Sequence, residues 1–178
     1  MKTLATILLL LTTACATTSK PTLEVSAGSR YFDAPVADLN HETSVGLSYL
    51  ASPEVLGPLE LEVSISRFSD RVEYSGNNGR VVGADLSAGV RYGRQFGCVI
   101  PYVGAGVSGT HVAPSTDAGV TWKDDTTLGT YLRVGIKFPL SDKAYIGFDA
   151  RYVDADTFSH QLYDMDGEVL SVTFGTMH

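Results

Sequence analysis

Two groups of residues have the makings of a hydrolytic site. Ser159 and His160 are adjacent, with Asp154, Asp156 and Asp164 nearby, and His41 would reach Ser69 and Asp70 if the chain folded back on itself. A serine becomes a nucleophile when a histidine takes its proton and a carboxylate orients that histidine, so the three must meet at one place. Neither group carries a motif that enforces such a meeting, and polar loops contain Ser, His and Asp by default. No catalytic residue is expected. Asp164-x-Asp166-Gly167 and Asp154-x-Asp156 share fragments with calcium loops, but the other spaced ligands and the closing glutamate are missing. His111, His160 and His178 lack the close spacing of zinc ligands. No metal and no cofactor are expected.

These residues depend on the elements that would carry them, and those elements are strands. From Thr22 onward apolar residues fall on alternate positions, the period of a half-buried strand, and no stripe of 3.6-residue period reaches helical length. Leu59, Leu61, Val63 and Ile65 alternate with Glu60, Glu62, Ser64 and Ser66. Leu128, Leu132, Val134, Ile136 and Phe138 share a face with Thr130 and alternate with Gly129, Tyr131, Arg133, Gly135 and Lys137. The same test gives eight strands, near 22–32, 43–51, 59–68, 81–93, 101–111, 127–138, 144–153 and 168–177. Segments 33–42, 69–80, 112–126 and 154–167 between them are long and polar, whereas 52–58, 94–100 and 139–143 are shorter and carry Pro or Gly. Long and short connections in alternation describe an antiparallel up-and-down meander, and closing it into a barrel removes the exposed edges.

The 178 residues suit one domain, and the 44% apolar content argues against disorder. The formal charge of −7 argues against nucleic acid as a partner. Beyond the N-terminus no apolar run is long enough for a membrane helix. At the N-terminus Met1-Lys2, the apolar Leu4 to Leu11 and the small residues Thr12 to Ala16 read as a secretory signal peptide over 1–16. Two cuts compete: Ala14-Cys15-Ala16 fits cleavage before Thr17, and Thr12-Thr13-Ala14-Cys15 resembles a lipobox that would acylate Cys15. Either way Cys98 is left alone in the mature chain, which makes a disulfide within it improbable. Residues 17–21 form a short linker and 22–178 the barrel domain.

Two barrels fit eight alternating strands. A soluble lipocalin-like barrel turns its apolar face inward around a ligand; a membrane barrel turns it outward to lipid and fills the lumen with polar groups. Here the polar face is rich in glycine and serine and carries Glu24, Glu60, Glu62, Asp85 and Asp149 against Arg30, Arg91, Arg133, Lys137 and Arg151. Such a neutral set suits mutual pairing in a narrow lumen, because an unpaired buried charge is costly. On the apolar face Tyr31 and Tyr152 fall toward the long loops and Tyr49, Tyr92 and Phe138 toward the short turns, the placing of two interfacial girdles. The expectation is an all-β, eight-stranded transmembrane barrel.

The segments PYVGAGVSGTHV (101–112), YLRVGIKFPLSDKAYIGFDARYVDAD (131–156) and GEVLSVTFGTMH (167–178) resemble the OmpA/OmpX-like group of small outer-membrane β-barrels. The resemblance covers nearly all of the mature chain and implies the outer membrane of a Gram-negative-type envelope, insertion by the outer-membrane assembly machinery and contact with membrane lipid and lipopolysaccharide. The group usually ends in an aromatic residue that this machinery reads; here the last residue is His178, in the outward parity of Leu170, Val172 and Phe174. Some barrels of this size act on lipid A or phospholipid, but neither Ser/His/Asp group above matches the His-x-Ser-Asn pattern of lipid A deacylases.

Segments 33–42, 69–80, 112–126 and 154–168 carry net charges of −3, 0, −2 and −5. An acidic rim repels anionic lipopolysaccharide unless divalent cations bridge it, and attracts a cationic or host-surface partner. The leading expectation is a monomeric, structural or surface-interaction barrel with a plugged lumen. The alternatives are a lipid-modifying enzyme, a soluble periplasmic ligand-binding barrel and a small-solute porin.

Overall fold

The computed structural model describes residues 21–32, 42–53, 56–74, 77–116, 125–155 and 166–176. They form eight strands: β1 Thr22–Phe32, β2 Glu42–Ala51, β3 Leu59–Tyr74, β4 Asn77–Gly93, β5 Ile100–Thr116, β6 Asp125–Ser141, β7 Ala144–Asp154 and β8 Gly167–Thr176. Each pairs antiparallel with its neighbour in sequence, and β1 pairs with β8, so the sheet closes into a barrel. The seam is continuous from Glu24↔Gly175 to Phe32↔Gly167, and the Leu23 amide donates to the Thr176 hydroxyl at its lower end.

The alternation read from the sequence sorts the side chains to two faces. Leu23, Val25, Val45, Leu47, Ile65, Leu86, Val103, Val107, Leu132, Val134, Phe148, Leu170, Val172 and Phe174 stand exposed on the outer wall, while Glu24, Arg30, Glu62, Asp85, Arg91 and Arg133 are buried inside. A sheet with apolar side chains out and charges in is stable only when lipid covers it. This arrangement is the reverse of a lipocalin-like barrel, and it removes the soluble alternative.

Four strands extend beyond the expected limits by more than one residue. The β3–β4 ladder continues from Ser69↔Val82 to Tyr74↔Asn77, so most of the expected loop 69–80 is hairpin. β5 reaches Thr116 and β6 starts at Asp125, which shortens the expected loop 112–126 at both ends. Apolar alternation marks only the stretch of strand that one apolar environment covers; the backbone ladder does not need it and runs on where both faces are polar. At the other end β6 continues to Ser141, with a register irregularity between Pro139 and Ser141. Gly57 and Gly97 take positive φ in the turns before β3 and β5, a conformation that favours glycine.

Candidate functional site

Among the described residues the lumen is where the fold gathers charge, and its contents follow from inward parity. Low in the barrel, Arg91 on β4 places Nη1 2.6 Å from Glu24 Oε1 on β1 and Nη2 3.2 Å from Glu62 Oε1 on β3. Arg133 on β6 bridges Glu62 to Asp149, with Nε 2.5 Å from Asp149 Oδ2. Lys137 Nζ lies 3.2 Å from Glu24 and 3.7 Å from Glu60. Higher up, Arg30 Nη1 lies 2.6 Å from Asp85 Oδ2, and Asp85 also accepts from Thr110 and Ser66. Five strands thus contribute to the lower cluster, and a shared carboxylate satisfies several donors at once.

All ten expected lumen charges line the interior, but not equally. Glu60 is a quarter exposed at the lower mouth. Among the described residues Arg151 joins no ion pair: its guanidinium stacks on the Tyr131 ring at 4.4 Å, its Nε and Nη2 have no hydrogen-bond partner, and Asp85 is the acid that attracts it most. Glu42, counted above with the loop charges, is a buried residue of β2 directly across the ladder from Arg30. That correction turns on one residue of strand boundary, since inward parity places position 42 with 44, 46 and 48.

Aromatic rings complete the filling. Each of four lies over the glycine opposite it in the ladder: Phe68 over Gly83, Tyr102 over Gly135, Tyr131 over Gly106 and Tyr145 over Gly175. A Cβ on any of these glycines would come within 2.7 Å of ring atoms. Each ring also carries a cation: Arg30 on Phe68 at 4.6 Å, Arg91 on Tyr102 at 4.5 Å, Arg151 on Tyr131 at 4.4 Å and Lys137 on Tyr145 at 4.7 Å. The result is a repeated stack of glycine, ring and cation. Tyr102 also donates to Asp149 at 2.5 Å, and Tyr145 donates to Glu24. Tyr131 and Tyr145 follow from parity in the sequence; Phe68 and Tyr102 were missed. The signal that would find them is an inward aromatic facing an inward glycine on the adjacent strand.

Tyr31, Tyr92 and Tyr152 stand exposed on the outer wall, with Tyr49 and Phe138 half-buried there. Tyr31 and Tyr152 flank Glu168 on adjacent strands near the loop end. The Ser/His/Asp groups are not assembled among the described residues: His41, Asp156, Ser159, His160 and Asp164 lie outside them, as do Cys15 and His178 and the whole of 1–20. Asp166 accepts from the Ala155 amide, an ordinary structural bond at a strand end. No cluster of three or more metal-ligating side chains occurs among the described residues.

A closed sheet that faces lipid outside and is crossed by ion pairs inside defines the class of small membrane-spanning β-barrels. The chain belongs to the outer membrane protein beta-barrel domain family, whose pattern matches residues 3–177, and its place is the outer membrane. Solved structures of the same fold include OprG from Pseudomonas aeruginosa (14% identity, TM-score 0.65, covering 90% of this chain and 97% of that one). Neisserial surface protein A is similar at 16% identity and TM-score 0.62, covering 89% and 96%. Ail of Yersinia pestis, in complex with the heparin analogue sucrose octasulfate, is similar at 16% and 0.60, covering 89% and 97%. No curated protein sequence matches the chain.

Proposed function

We propose that the protein is a structural and surface-interaction barrel whose lumen does not conduct. The observation that carries this reading is the lower cluster: Glu24, Glu62 and Asp149 tied to Arg91, Arg133 and Lys137, with the Tyr102 and Tyr145 rings packed among them. An eight-stranded barrel encloses only enough space for side chains to fill. Acids and bases alternate across it, so there is no single-sign ring of the kind that selects ions. What remains to meet the surroundings is the outer wall and the loop end. Three of the four loop segments are net acidic, which favours a cationic partner surface or divalent cations bridging to lipopolysaccharide, and disfavours a polyanion such as the one bound by Ail. On this reading residues 1–16 direct export and are removed, or leave Cys15 acylated.

The test is electrical. The purified, folded chain in a planar bilayer should give no steady conductance, whereas large, stable, ion-selective currents would replace this reading with that of a small-solute porin. Lipid A and phospholipid acylation should stay unchanged on overexpression; an altered acylation pattern would favour the lipid-modifying alternative.

A further inference from the structure

The outer wall is apolar over most of its described length, and the exceptions are few. Arg67 on β3 points outward and is exposed, with no hydrogen bond or ion pair among the described residues. The ladder sets it beside Ala84 on β4, and Ala84 beside His111 on β5. On the turn side of this row stand Ile65, Leu86 and Val107, all exposed on the apolar outer wall, so the row lies toward the loop end of the apolar band on these strands. His111 is also exposed, and its Nδ1 is 2.8 Å from the Thr126 hydroxyl. With that hydroxyl donating, the Nε2–H of the ring is left to donate outward.

We propose that Arg67 and His111, set either side of Ala84, hold a phosphate group of an outer-leaflet glycolipid. Three features point to this ligand. A guanidinium on a lipid-facing wall with no counter-charge among the described residues finds its anion in the lipid or reaches up to water, and its fork matches phosphate oxygens. The two donors are two ladder steps apart, about 10 Å, and the alanine between them leaves an open floor where a headgroup can sit. The site lies at the loop end, which in barrels of this kind faces outward, away from the short periplasmic turns. This site adds to the structural role and does not depend on whether the lumen conducts.

The experiment is native mass spectrometry of the full chain folded in detergent micelles and titrated with bisphosphorylated lipid A, with dephosphorylated lipid A, or with phosphatidylglycerol. The wild type should retain bisphosphorylated lipid A about tenfold more tightly than either comparison lipid. Arg67→Gln and His111→Ala should each remove most of that preference, Arg67→Lys should restore part of it, and Glu168→Gln, a lone outward charge elsewhere on the wall, should leave it intact. Heat-modifiable gel migration establishes that every variant is folded. Equal retention of the dephosphorylated lipid, or an unchanged preference in Arg67→Gln, would overturn the site. Phosphatidylglycerol bound as tightly as lipid A, or displacement of lipid A by millimolar inorganic phosphate, would overturn its assignment to a glycolipid.

Discussion

Tyr102 lies across Gly135, its partner in the β5–β6 ladder, and places its hydroxyl 2.5 Å from the Asp149 carboxylate. One ring therefore covers backbone, supports the Arg91 guanidinium at 4.5 Å and anchors an acid that Arg133 also grips. Shape and charge in this lumen are set by the same side chains.

The ring and its glycine should be separable by mutation. Gly135→Ala puts a methyl 2.4 Å from the Tyr102 ring and should cost about 1–3 kcal/mol, the usual range for overpacking. Tyr102→Phe keeps the ring and loses the bond to Asp149, at a cost of about 1.5–3 kcal/mol for a hydrogen bond to a charged group. Urea unfolding of the lipid-reconstituted barrel reads both. If Gly135→Ala were neutral in the wild type, the stack would not be tightly packed.

Glu60 and Glu62 look equivalent in sequence but should behave differently. Glu62 is buried, contacts Arg91 and Arg133, and its neutralisation leaves two guanidinia under-paired. Glu62→Gln should cost about 3–5 kcal/mol, and Glu60→Gln, at the mouth and 3.7 Å from Lys137, about 0–1 kcal/mol. Equal losses in the same unfolding assay would contradict the depth assigned to the two.

A similar contrast holds for the upper arginines. Arg30→Met strips Asp85 of its ion-pair partner and should cost about 3–5 kcal/mol. Arg151→Met removes a buried cation whose Nε and Nη2 have no partner and leaves Asp85 bonded to Arg30, Ser66 and Thr110, so stability should stay within about 1 kcal/mol or rise. A severe loss in Arg151→Met would show that its attraction to Asp85 outweighs its desolvation.

Cys98 reports the orientation of the barrel. It is a free, exposed thiol in the turn between β4 and β5, at the end opposite the long connections. A membrane-impermeant maleimide should label it only after the outer membrane is permeabilised, and Cys98→Ser should abolish that label. Labelling of Cys98 on intact cells would mean that the short turns face outward.

The barrel was legible in the sequence because lipid and lumen impose opposite chemistry on alternate residues, so that strands such as 128–138 carry their own orientation. The ten lumen charges were legible for the same reason. Their partners were not, since which carboxylate Arg91 grips depends on register between β1, β3 and β4, and alternation within a strand is silent about register. Nor were the ends of β3 to β6, where Ser69 to Tyr74 leave the apolar band but keep the ladder. Glu42 was lost one residue outside the expected limit of β2, and Phe68 at the last position of its expected strand. Tyr102 was lost differently: its glycine sits on another strand, and only the pairing makes the two a unit.

Strand length has a consequence for approach from outside. β3 runs 16 residues and β4, β5 and β6 run 17, against 10 or 11 for β1, β2, β7 and β8. An excess of six residues is about 20 Å of strand, and for β3, β4 and β5 nearly all of it lies at the loop end. The mouth of the sheet is thus cut on a slant, with a parapet over β3 to β5 and a low sill where β8 meets β1. Among the described residues, a bulky body sliding along the membrane meets hydrogen-bonded sheet at that height over β3 to β5 and not over β8 and β1, so the described backbone alone gives lateral encounters a preferred direction.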